Sequence, residues 1–82
     1  MNSKLVYIID DEVDILELVE LHLKRSGFET KIFEDTNNLL TKMRERIPDL
    51  LVLDLMLPHT DGLEICKKIR MDSDLKFVPI IM

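Results

Sequence analysis

Apolar residues fall into two kinds of pattern along this chain. Leu5-Val6-Tyr7-Ile8-Ile9 and Leu50-Leu51-Val52-Leu53 are apolar without alternation, as strands buried on both faces of a parallel sheet should be. Each run ends in acid: Asp10-Asp11-Glu12 after the first, Asp54 after the second. Over residues 12–26 the period lengthens. Ile15, Leu16, Leu18, Val19 and Leu23 fill one broad arc of a helical wheel, and Asp14, Glu17, Glu20, Lys24 and Arg25 fill the other. Gly27 supplies the stop. His22 lies within the apolar arc and reads as a packed or edge histidine, while Leu21 projects from the polar side as a candidate partner contact.

Phe28 to Phe33 predicts a strand whose central Glu29, Thr30 and Lys31 suit a sheet edge. Asp35 or Thr36 can cap a second helix carrying Leu39, Leu40, Met43 and Ile47 at helical spacing, with Pro48 as its stop. The Asp54 strand follows, then a loop through Pro58, His59, Thr60 and Asp61. Gly62 to about Asp72 predicts a third helix with Ile65, Cys66 and Ile69 on its inner side, and residues 77–82 open a fourth strand. The order β-α-β-α-β-α-β calls for an α/β domain with a parallel sheet, right-handed crossovers and helices on both faces. If the chain winds from the first strand to the second and then reverses to the third, the strand order is 2-1-3-4. The crevice at that reversal gathers Asp10, Asp11 and Asp54.

Composition narrows the reading. The chain has 82 residues, enough for one small domain over 1–82, and 46% hydrophobic residues supply a core. A net charge of -5 argues against nonspecific nucleic-acid binding and against an anionic membrane surface. No apolar run approaches the roughly 20 residues of a membrane helix, and no segment resembles a signal peptide. The single cysteine, Cys66, excludes an internal disulfide and suits a reducing compartment. The expected setting is the cytoplasm.

Carboxylates packed together repel unless a cation joins them. Mg2+ suits Asp10, Asp11 and Asp54 best, because it accepts a few carboxylates and keeps waters that a phosphate oxygen can replace. An aspartate beside a held phosphoryl group is placed for in-line attack, giving an aspartyl-phosphate. Asp10 and Asp11 alone are equally readable as solvated turn residues or as caps of the first helix. His59 reads as a solvated loop residue and Cys66 as core.

Ile8-Ile9-Asp10-Asp11-Glu12, Val52-Leu53-Asp54-Leu55-Met56-Leu57-Pro58 with Asp61-Gly62, and Val78-Pro79-Ile80-Ile81 together resemble the receiver domain of two-component response regulators. The resemblance implies a flavodoxin-like fold with Asp54 as phosphoacceptor from the phosphohistidine of a sensor histidine kinase. It also implies Mg2+ on Asp11, Asp54 and the backbone carbonyl of Met56, with Asp10 reached largely through water. Such a module is not an enzyme beyond its own phosphorylation and dephosphorylation.

Receivers of the family continue to a hydroxyl residue, a fourth helix, a fifth strand ending in lysine and a fifth helix, all beyond Met82. The expectation is therefore a receiver truncated after the fourth strand, with phosphotransfer impaired. The rival is a non-signalling receiver fragment that acts as a folding or self-assembly unit. A phosphatase on a similar fold is disfavoured, because that chemistry wants an acid where Met56 stands. The expected assembly is a homo-oligomer. It would form through an exposed face of the first helix, around Leu16, Leu23 and Leu18, and through the apolar edge of the fourth strand at Val78, Ile80, Ile81 and Met82.

Overall fold

The computed structural model describes residues 3–53 and 62–81. Its elements run β1 (Leu5–Ile9), α1 (Val13–Arg25), β2 (Glu29–Phe33), α2 (Leu39–Glu45), β3 (Leu50–Leu53), α3 (Gly62–Met71) and β4 (Ile80–Ile81). The four strands form one sheet in the order β2-β1-β3-β4. Every pairing is parallel, β1 with β2, β1 with β3 and β3 with β4. This is the parallel α/β sheet that the alternation of elements predicts, in the strand order of the flavodoxin-like fold that the receiver resemblance implies.

Side chains of successive strand residues point to opposite faces, and this divides the core in two. Leu5, Tyr7, Ile9, Leu51 and Leu53 pack with Leu39 and Met43 of α2 and Ile65 and Ile69 of α3. Val6 and Ile8 pack with Leu16 of α1, joined by the half-buried Val19, Leu23, Ile32, Leu50 and Val52. β1 is buried along its whole length because both layers use it. Two hydrogen bonds of Asp49 set the edge of this register: its carboxylate accepts from the Leu5 amide at 2.7 Å, and its own amide donates to the Leu5 carbonyl at 2.8 Å.

Helix α1 is rotated differently from the expectation. Leu16, expected at an exposed face, is completely buried and Leu23 is half-buried, whereas Leu18 is 56% exposed as expected and Ile15 of the apolar arc is 41% exposed. His22 is exposed, which fits the edge alternative and not the packed one. The apolar arc is wider than one helix–sheet contact can cover. In the observed orientation Leu16 packs against Val6 and Ile8, and the Glu20 carboxylate accepts a 3.2 Å hydrogen bond from the Thr30 hydroxyl on β2.

Helix α2 is shorter than its spacing predicts. Neither Asp35 nor Thr36 caps it; the preceding residue is Asn38 in the left-handed conformation, a region asparagine tolerates better than most residues. Asp35 instead holds a turn by accepting from the Asn37 amide at 2.9 Å. At the other end Arg46 is extended, and Ile47, which directly precedes Pro48 and is disfavoured from helical geometry by it, is half exposed. The last α2 carbonyls find a partner in the buried Tyr7, whose hydroxyl lies 2.9 Å from the Arg46 carbonyl and 3.1 Å from that of Lys42.

The fourth strand is also shorter than expected. Phe77 is 85% exposed in a turn, and Val78 is buried in the core rather than lining an edge, so among the described residues Ile80 and Ile81 pair with β3; Met82 of the expected edge lies outside the described residues. Arg70 shapes this approach by donating to the carbonyls of Lys76 and Val78 at 2.8 and 2.7 Å. No helix among the described residues is long and apolar enough to cross a membrane.

Candidate functional site

The reversal of strand order falls between β1 and β3. In the β1–β3 register Ile9 is the partner of Leu53. Ile9 precedes Asp10 in the sequence and Leu53 precedes Asp54. The acids singled out in the sequence thus follow directly from two adjacent, buried and paired strand ends. Ligands of open α/β sheets bind beyond these carboxyl ends, at the switch point.

Asp10 is held at both its backbone and its side chain. Its amide donates to the Phe33 carbonyl at the end of β2, at 3.1 Å, extending the β1–β2 ladder by one residue. Its carboxylate accepts from the Glu12 amide at 2.9 Å, which turns the chain into α1. Asp10 is half-buried and Asp11 is exposed. Neither caps α1: the cap position is Glu12, which makes no side-chain capping bond. The cap alternative for this acid pair therefore gives way to a turn for Asp10 and a solvent-facing carboxylate for Asp11.

Asp54, Met56 and His59 lie outside the described residues, as do Pro58 and Asp61 of the same loop. Among the described residues no three His, Cys, Asp or Glu side chains gather closely enough to hold a metal ion, and of the expected metal-site residues Asp10 and Asp11 are the two that lie among them. Their chemistry fits a hard divalent cation: oxygen donors only, one carboxylate accessible, at a crevice end of the sheet. Gly62 is buried at the start of α3, and Cys66 is half-buried against the core.

The structure adds features that spacing did not suggest. A surface cleft of about 520 Å3 lies between the start of α2 and α3, lined by Asn37, Asn38, Arg44, Glu64 and Lys68 among others. Neither Asp10 nor Asp11 reaches it. Arg44 also crosses to Asp72 at the end of α3, donating through Nε at 2.8 Å. A basic residue of α2 and an acid many positions later leave no local pattern, so only the packed helices reveal that pair.

Comparison with known proteins is consistent across sequence and fold. The family model for the response regulator receiver domain matches residues 6–82. The DNA-binding response regulator MtrA of Mycolicibacterium paratuberculosis is 39% identical over 77 residues, covering 94% of this chain and 33% of that protein. The alkaline phosphatase synthesis transcriptional regulatory protein PhoP of Bacillus subtilis is 43% identical over 82 residues, covering 100% of this chain and 33% of its own length. The chain thus spans about a third of the length of the curated relatives it matches. Among solved structures, the chemotaxis response regulator CheY4 of Vibrio cholerae superposes with a TM-score of 0.89 at 30% identity, covering 96% of this chain and 66% of that one. A putative response regulator from Chloroflexus aurantiacus gives the same TM-score of 0.89 and 30% identity.

Proposed function

Because the chain belongs to the response regulator receiver domain family, a family of phosphorelay signalling modules, we propose that Asp54 is its phosphoacceptor and that a sensor histidine kinase is the donor. The observation that carries this reading is the Ile9–Leu53 register. It sets the strand ends leading into Asp10-Asp11 and into Asp54 side by side, where the fold binds ligands.

In this reading a carboxylate oxygen of Asp54 attacks the phosphorus of a phosphohistidine. The new P–O bond forms as the P–N bond breaks, and the electron pair returns to the imidazole nitrogen. Asp11 and Asp54, with the carbonyl of Met56, would hold Mg2+, and Asp10 would act largely through water. The ion would offset the phosphoryl charge. The half-buried Asp10 is already fixed by the Phe33 carbonyl and the Glu12 amide, so its placement costs little at the moment of binding. A cytoplasmic setting goes with this donor. The full-length relatives named as DNA-binding suggest that an output segment contacts DNA, while this acidic domain, at net charge -5, does not.

Incubation with Mg2+ and a small-molecule phosphodonor tests the reading by intact mass. One added phosphoryl group, absent in Asp54→Asn, supports it. A modification that persists in Asp54→Asn, or no modification alongside a receiver that labels under the same conditions, overturns it.

A further inference from the structure

The side of α1 that faces away from the sheet carries a self-complementary pattern. Leu16 is buried, Val19 and Leu23 are half-buried, and Glu20 is tied to Thr30. This fixes the outward line of the helix as Asp14, Leu18, Leu21 and Arg25, spaced by four, three and four residues. That is the spacing of a helix-pairing seam. All four are exposed, and the two leucines are 56% and 46% exposed. Scattered exposed leucines are ordinary. Two adjacent ones, bracketed by an acid at the amino end and a base at the carboxyl end, form a line that reads the same in reverse with charges exchanged.

We infer that this line pairs with α1 of a second copy of the chain in an antiparallel, two-fold arrangement. The two-fold axis passes between Val19 and Glu20. Each Leu18 then packs on Leu21 of the second copy, and each Asp14 meets the second copy's Arg25. On one flank Glu17 comes opposite Lys24 of the second copy, and Lys24 can leave its own Glu20, 3.6 Å away across an exposed helix surface. On the other flank Ile15 lies against His22. Parallel pairing would set Asp14 on Asp14 and Arg25 on Arg25, so charge selects the antiparallel form. Two-fold pairing of this kind is closed and stops at a dimer. Of the residues the sequence expectation named, it uses Leu18; Leu16 is spent on the core and Leu23 is half-buried.

A seam on a 13-residue helix is only about 20 Å long, so the dimer is weak and salt-sensitive. The test is sedimentation of the full chain at low salt, from tens of micromolar to about 1 mM, a range that brackets weak association. Asp14→Arg and Arg25→Asp each turn two attractive contacts into repulsive ones and should weaken the dimer about tenfold. The double variant should restore it, and Leu18→Lys should abolish it. All these positions are exposed, and the double reversal controls for folding. No phosphodonor or Mg2+ is present, so failure here leaves the phosphoacceptor reading untouched. A monomer at every concentration overturns the inference. So does a dimer indifferent to the single reversals, or one that the double reversal does not restore.

Discussion

The hydroxyl of Tyr7, on the inner strand β1, lies 2.9 Å from the backbone carbonyl of Arg46, just past the end of α2. A helix end leaves carbonyls without intrahelical partners, and here a buried phenol supplies one from within the sheet. The Tyr7 ring also packs against Phe33, with centroids 5.2 Å apart and planes tilted by 45°. Burial raises the Tyr7 pKa above its ordinary value of 10.0, with Arg46 partly opposing and Glu45 adding to the shift. The folded state therefore holds the phenolic proton when the unfolded chain has released it. Stability is full below pH 10 and falls as pH rises from there through the folded value. Tyr7 is the chain's one tyrosine, so phenolate absorbance should report its ionisation alone, later than for a free tyrosine. Tyr7→Phe should cost about 1–3 kcal/mol at neutral pH and remove the tyrosine's share of the alkaline loss. An ionisation at or below pH 10 in the folded chain would contradict the buried phenol.

Leu16 and Leu18, two positions apart on α1, should behave oppositely. Leu16→Ala empties a site that is fully buried against Val6 and Ile8 and should cost about 2–5 kcal/mol. Leu18→Ala, measured at a concentration where the chain is monomeric, should stay within about 0.5 kcal/mol of the parent. Urea unfolding of the two variants decides it, and equal losses would mean that α1 is rotated from the arrangement described.

The Arg44–Asp72 pair predicts an acid limb. The Arg44 guanidinium hydrogen-bonded to Asp72, with the Asp74 amide also donating to it, lowers the Asp72 pKa below its usual 3.8. The stabilisation is present above that unfolded value and is lost as pH falls through the lower folded one. Asp72→Asn should flatten this part of the pH–stability curve, and Arg44→Gln should do the same. NMR titration should show the Asp72 carboxyl ionising below the usual aspartate range, returning toward it in Arg44→Gln.

Metal binding should appear as mass action on stability, because the unfolded chain cannot assemble the acids of β1 and β3. Millimolar Mg2+ should raise the thermal midpoint of the parent chain, and Asp11→Asn should reduce that response. In the absence of metal the same substitution removes a repelling charge and should be neutral or stabilising. A midpoint that Mg2+ leaves unchanged in the folded parent would count against a metal site at this crevice.

The sheet was legible early because its strands announce themselves locally. Leu5–Ile9 and Leu50–Leu53 are short, apolar and free of alternation, as strands of a covered parallel sheet are, although Leu50 and Val52 are only half-buried. The charged middle of Glu29–Phe33 marked it as an edge, and it is one. Candidate acids were legible for the same reason: a charge next to a buried run must lie at its end. Element ends were less so. Ile47 has helical spacing, but the adjacent proline overrides it, and Phe77 continues an apolar run yet lies in a turn that Arg70 secures from α3.

By itself, then, the sequence determined the alternation of elements, the full burial of β1 and the placing of Asp10, Asp11 and Asp54 immediately after strand runs, since each depends on residues close together in the chain; β3 departs from the same expectation, being fully buried at Leu51 and Leu53 and half-buried at Leu50 and Val52. Only tertiary structure decided which side of α1 meets the sheet, that Tyr7 closes the end of α2, that Asp49 pins β1 and that Arg44 joins Asp72. Each of these is a contact between positions far apart in sequence, or a choice among rotations that one helix permits equally. Periodicity measures how wide an apolar arc is. Which part of that arc is buried shows only in the contacts across to the sheet, Leu16 against Val6 and Ile8 and Glu20 bonded to the Thr30 hydroxyl on β2.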